Sequence, residues 1–178
     1  MVSIDELREA VLAFDPGGDP RAAASRDQII RLLGQGNAAA ERSNFSPGHI
    51  TASGIVLSSD GREILLVHHR RLARWLQPGG HVEREDGSTI ETAEREILEE
   101  TGLRPSGGET TRIVGLDVHQ IPAFAHEPAH LHHDVVWRFS AAGVPCGEEE
   151  SRWFALDDLV RLGVDEPLLR AAARARAS

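Results

Sequence analysis

The spacing of apolar residues changes period several times along the chain, and each change marks an element. Residues 4–14 and 21–34 carry helix-compatible patterns. The breaker cluster "DPGGDP" separates them as a turn, and Gly34 and Gly36 stop the second. After a polar stretch, "HITASGIVLSSDGREILLVHHR" reads as two strands joined at "SSDG". A helical pattern returns over 88–101. Three strand-like runs follow, "TRIVGLDVHQI", "LHHDVVWRFSA" and "SRWFAL", and two short helices near 156–161 and 166–176 close the chain. Strands on both sides of one central helix, with further helices at the two ends, predict a mixed α/β layout. The regular alternation of a doubly wound sheet is missing.

The 88–101 segment is the best specified of these elements. Ser88 and Glu91 form an S-x-x-E capping box at its start. Gly102 supplies a left-handed stop, and Leu103 follows as its hydrophobic contact. At about 100° per residue, Ile90, Ala93 and Ile97 share a core-facing stripe. Glu96, Glu99 and Glu100 lie at i, i+3 and i+4 on an arc bordering that stripe. They crowd the helix C-terminus, where the macrodipole already disfavours negative charge. Spread on a solvated face such a trio is ordinary. At the edge of a buried surface it calls for cations, and oxygen ligands in this number suit Mg²⁺ or Mn²⁺.

Composition narrows the function. A length of 178 residues fits one domain, or one domain with a helical extension. With a net charge of -9, polymeric nucleic acid and anionic membrane are poor partners, although a divalent cation can bridge an acidic protein to a polyanionic small molecule. The 19 basic residues are all arginine, so no lysine can act as Schiff base or phosphate ligand. The single Cys146 excludes an internal disulfide and fits a reducing compartment. The N-terminal residues have the look of neither a signal peptide nor a membrane anchor, and the expected location is the cytoplasm.

The stretch "PGGHVEREDGSTIETAEREILEETGL" resembles the Nudix box, G-x5-E-x7-R-E-U-x-E-E-x-G-U with U aliphatic. Gly80 matches the leading glycine. Arg95, Glu96, Ile97, Glu99, Glu100, Gly102 and Leu103 match the second half. Asp86 stands where the pattern has its first glutamate, and the spacer to Arg95 is one residue longer, which puts the loop geometry in question. The resemblance implies an α/β/α sandwich around a mixed sheet, here with an N-terminal helical extension over 1–46 ahead of a domain over 47–178. It implies hydrolysis of a nucleoside diphosphate linked to another group. Glu96, Glu99 and Glu100 with the Gly79 carbonyl would hold Mg²⁺ or Mn²⁺, and Arg95 would orient the carboxylates. Glu99 or Glu100 would serve as general base, with Glu148 and Glu149 of "CGEEESRWF" as loop alternatives.

Around the box, Arg70 is a candidate phosphate contact, Trp75 could stack on a base or pack, and Gly80 lies beside the substrate. In "HLHHDVVWRF", Leu131, His133, Val135, Trp137 and Phe139 alternate onto a core face. His132, Asp134, Val136 and Arg138 are left on the other face, and His132 is a candidate substrate contact. A separate zinc site from His126, His130 and His132 has no cysteine or closed four-ligand spacing to support it. Two alternatives to a hydrolase are a non-catalytic nucleotide sensor and an enzyme like the isopentenyl diphosphate isomerases. Sensors typically lose box glutamates that this chain keeps, and Cys146 lies in a loop unlike the isomerase site. Family marks for coenzyme A, NADH and diadenosine polyphosphate substrates are missing, and Pro122 lies further past the box than the proline of the ADP-ribose class. The extension over 1–46 is available for a homodimer contact or for covering the site.

Overall fold

The computed structural model describes residues 1–108 and 111–177, and in it the alternating segments pair into one mixed seven-stranded sheet. Strands β1 (Gly48–Ser58) and β6 (His130–Ala141) run parallel in register from Gly48↔Leu131 to Ser58↔Ala141, and every other pairing is antiparallel. β2 (Glu63–His69) pairs the C-terminal part of β1. Short strands β3 (Arg74–Leu76) and β4 (Gly79–His81) add to β2 and to the N-terminal part of β1. β5 (Ile113–Ile121) forms the edge beyond β6, and β7 (Ser151–Ala155) lies on β2.

Strand alternation divides the core in two. Ile50, Ala52, Val56, Val135, Trp137 and Phe139 face one side, where α3 (Thr89–Thr101) supplies Ala93 and Ile97. The same cluster takes in Leu7 and Val11 of α1 (Ile4–Ala13) and Ile29, Leu32 and Leu33 of α2 (Pro20–Leu33). The N-terminal helices therefore share a core with the sheet. Ile55, Leu57, Ile64, Leu66 and Val136 face the other side, against α4 (Leu159–Leu162) and α5 (Glu166–Arg176). The fold is an α/β sandwich around a mixed sheet, with helices on both faces and an N-terminal helical part.

The predicted helices and long strands stand close to their expected bounds. Part of the polar stretch after α2 is a 3-10 turn over Gly36–Ala40, and β3 and β4 were not anticipated. Each of these strands is three residues long, too short for any hydrophobic period to register. The capping box also differs in detail. Ser88 Oγ accepts from Glu91 N at 3.2 Å, but the Glu91 carboxylate reaches back to Gly87 N at 2.8 Å, one residue before the cap. At the other end Gly102 has φ 72°, and its N–H donates to Leu98 O at 2.8 Å, as a left-handed cap requires.

Candidate active site

Arg95 organises the carboxylates of α3. Its Nε and Nη2 grip Asp86 at 3.2 and 3.1 Å, and Nη1 donates to Glu96 at 2.8 Å and Glu99 at 3.4 Å. Nη2 also donates to the His81 carbonyl at 2.9 Å, tying the helix to β4. Burial works against the guanidinium charge, yet Asp86 and Glu96 raise its pKa and hold it protonated. Asp86 is only 5 % exposed and takes two further bonds, from Thr92 Oγ1 at 2.8 Å and Glu83 N at 2.9 Å. Burial pushes its carboxyl up, but Arg95 and these donors prevail and hold it below the ordinary range. The departure from the box pattern is thereby explained. The longer spacer brings a shorter side chain into a two-pronged pair with Arg95.

Glu100 is the most perturbed of the box glutamates. Burial pushes its pKa up to about 7, opposed by the Gly79 N–H, which donates at 3.0 Å, and assisted by Glu96, Glu149 and Glu99. Burial also raises Glu96, partly offset by Arg95. Glu99 is more open, with about half its side chain exposed. The double glycine gives these side chains room. A Cβ on Gly79 would lie 2.4 Å from Ser53 Cβ, and one on Gly80 would lie 2.6 Å from the Glu96 carboxylate.

The loop before β7 docks on the end of α3. The N–H groups of Cys146, Glu148 and Glu149 donate to the carbonyls of Thr101, Glu99 and Glu100 at 2.8, 3.0 and 3.1 Å. These bonds satisfy orphan carbonyls and set N–H dipoles against the negative helix end. They also carry Glu149 to the cluster. Its Oε2 is buried without a hydrogen bond, and the one ion pair it makes among the described residues is with Arg70 Nε at 3.5 Å. Glu148 is exposed. An orphaned carboxylate oxygen beside three further glutamates is an all-oxygen donor set, which fits a hard divalent cation. Gly79, Glu96, Glu99, Glu100 and Glu149 are the residues that could hold one.

The other candidates separate. Arg70 is exposed and pairs with Glu149. Trp75 packs its ring 4.8 Å from Phe154 and 5.1 Å from His68, with the Arg152 guanidinium over it at 5.7 Å. His132 lies elsewhere, among histidines on the sheet face that also carries the buried Asp134. Thr51 and Ser53 donate to Asp134 at 3.0 and 2.6 Å. Burial raises the Asp134 carboxyl against those donors. Sequence reasoning passed over His49, Thr51 and Ser53, although their alternation with Ile50 and Ala52 was a readable signal. Burial, reinforced by neighbouring cationic and imidazole groups, holds His81 down to about 4 and His132 to about 2. His126 stands apart in an exposed turn.

Between residues 37–45 and the box loop lies a cleft of about 610 Å³, lined by Arg42, Phe45, Val82, Glu83, Arg84 and Glu127 among others.

The sequence model of the Nudix domain matches residues 48–175. No curated protein is a significant match to the chain. Among solved structures, a NUDIX-family hydrolase from Clostridium perfringens is similar at 22% identity and a TM-score of 0.53, over 72% of this chain and 96% of that one. The dihydroneopterin triphosphate pyrophosphohydrolase of E. coli gives 15% identity and 0.53, over 70% and 92%. The NUDIX domain of Shewanella oneidensis NrtR, solved with ADP ribose, gives 18% and 0.50, over 72% and 86%. At these identities the structures speak for the fold. The family match over most of the chain decides membership: this protein belongs to the Nudix family.

Proposed function

We propose that the chain hydrolyses the diphosphate linkage of a nucleoside diphosphate derivative with Mg²⁺ or Mn²⁺ held at the C-terminal half of α3. The observation that carries this reading is the buried Glu100, whose carboxyl feels the charges of Glu96, Glu149 and Glu99, together with a buried Glu149 oxygen that takes no hydrogen bond. Members of the family generally use divalent metal ions, and the oxygen donors here suit the hard ones. When bound, such a cation neutralises the diphosphate and makes water a better nucleophile.

The protein's own part follows from its contacts. Arg95 fixes Glu96 and Glu99 while Asp86 fixes Arg95, so the carboxylates are preorganised before substrate arrives. Glu100 is the proton acceptor for the attacking water in this reading. Burial beside Glu149 and a single backbone donor make it the most basic of the box glutamates. Gly80 keeps the floor beside Glu96 open, and Arg70 stands next to Glu149 as a phosphate contact. Trp75 is the aromatic surface nearest in sequence to the box. The cleft beside Val82 and Glu83 has the volume of a small-ligand site, and a nucleoside moiety is its proposed occupant. The lone cysteine supports a cytoplasmic location.

The test is a panel of nucleoside diphosphate derivatives, including ADP-ribose, diadenosine polyphosphates and nucleoside triphosphates, incubated with Mg²⁺, Mn²⁺ or excess chelator. Cleavage of at least one member with either cation, and none in chelator, is expected. Undiminished turnover in chelator would overturn the mechanism.

A further inference from the structure

Strand register places five of the chain's nine histidines on one face of the sheet. His49 pairs His132 across β1 and β6, and His119 pairs His132 across β5 and β6. Directly paired residues point the same way, so these three share a face. His130 joins them two positions before His132. His81 pairs Thr51, two positions beyond His49, and so faces the same way. The ring centroids of His49, His81 and His132 stand 5.0–5.1 Å apart. One ring nitrogen from each lies within 4.8 Å of those from the other two.

A set of packed core rings would account for the ring distances. It does not account for His49, which is 1 % exposed with an Nε2 that has no hydrogen-bond partner. Leaving such an atom unpaired costs about 1–3 kcal/mol. The other nitrogen explains its state. His49 Nδ1 lies 3.1 Å from the Asn44 carbonyl, which can only accept, so Nδ1 carries the hydrogen and Nε2 a free lone pair. A histidine that donates one N–H to a backbone carbonyl and keeps its other nitrogen unpaired among further imidazoles has the arrangement of a metal ligand.

We propose that His49, His81 and His132 form a second metal site, separate from the glutamate cluster, for a borderline divalent transition metal such as Zn²⁺. Neutral imidazoles select this class over Mg²⁺. Tetrahedral bonds of about 2.0–2.1 Å need ligand nitrogens roughly 3.3 Å apart, so from separations within 4.8 Å the rings close in by at most about 1.5 Å on binding. Three protein ligands leave a fourth position open, and the half-buried His81 and His132 leave it accessible to water or an anion. His81 directly follows Gly79 and Gly80, and its carbonyl holds Arg95. The metal would cross-link β1, β4 and β6 at the strand that supports the hydrolytic site.

The test is metal binding, which is independent of turnover. Purified full-length chain, stripped of metal, is titrated with Zn²⁺ and with Co²⁺ in excess Mg²⁺. One equivalent of Zn²⁺ retained per chain is expected, with Co²⁺ giving the visible absorption of a tetrahedral nitrogen-ligated ion. His81→Gln and His132→Gln, both at half-buried positions and checked for folding by melting, should bind Zn²⁺ about a hundredfold more weakly. Glu99→Gln should bind as the parent does, which separates this outcome from failure of the proposed hydrolysis. Failure of the parent to retain Zn²⁺, or binding that His81→Gln and His132→Gln leave unchanged while His119→Gln or His130→Gln abolishes it, would overturn the proposal.

Discussion

The glutamates at the end of α3 and the histidines on the sheet are both polar clusters, built by opposite means. The first is a product of helical periodicity. Glu96, Glu99 and Glu100 arrive together because they are three and four residues apart, and Arg95, the Gly79 N–H and the N–H groups of the docked loop offset their charge. The second is a product of strand register. His49, His81 and His132 come from three strands and carry no charge at neutral pH, since burial holds all three below the ordinary histidine range. A site assembled locally from charges needs a cation to hold it together. A site assembled across strands from neutral rings is already paired by the sheet, and binds metal only as an addition. The difference predicts separate metal preferences and separate responses to mutation.

The largest effect should come from removing the clamp of the first cluster. Asp86→Asn leaves Arg95 partly buried without its two-pronged partner, and should cost about 3 kcal/mol in urea unfolding. The pH dependence has a fixed sign. The folded pKa of Asp86 lies below its ordinary 3.8, so its contribution is present above that value and lost as pH falls through the lowered folded pKa. The variant should therefore lose less stability than the parent below about pH 3.8. Equal acid sensitivity in the two proteins would contradict the pairing.

A smaller effect tests whether the loop before β7 belongs to the glutamate cluster. A Cβ on Gly147 would lie 2.4 Å from the Glu100 backbone, so Gly147→Ala should push the loop off α3. A loss of roughly 2 kcal/mol is expected, together with slower turnover, because Glu149 moves with the loop. Loss of stability without loss of rate would remove Glu149 from the mechanism. The smallest effect belongs to Ser88→Ala, which takes away the acceptor for Glu91 N at a distance from the carboxylates. It should lower stability by about 1 kcal/mol and leave the rate alone, measured by melting and by initial velocity.

The two clusters also differ in how far they could be read in advance. The sequence stretch from Gly79 to Leu103 contains its own cap, stop, stripe and ligands within one helix and its approach, so little beyond periodicity was needed to draw it. What escaped was the pairing of Asp86 with Arg95, because no pattern predicts that a longer loop will fold a shorter side chain back onto the guanidinium. Glu149 was readable as a loop carboxylate, but both it and Glu148 dock their N–H groups on the helix end, and only the fold shows that Glu148 is exposed while a Glu149 oxygen is buried. The histidine trio was out of reach for a different reason. His132 was visible on an alternating face, yet its partners lie 83 residues before it (132 − 49) and 51 before it (132 − 81), and the strand that carries His81 is too short to announce itself. The trio that proximity in sequence offered, without a ligand spacing to support it, included His126, which the structure leaves in an exposed turn.

The central claim is that the α3 glutamates exist to hold a divalent cation. The most direct measurement is a pair of melting curves, in chelator and in Mg²⁺, for the parent and for Glu100→Gln. The substitution removes one negative charge from a repelling cluster at nearly constant shape. In chelator the variant should melt no lower than the parent, and on adding Mg²⁺ it should gain less, because the gain follows the affinity for the ion. If parent and variant melt alike in both conditions, with no gain from Mg²⁺ in either, the glutamates are a solvated helix face and the account fails.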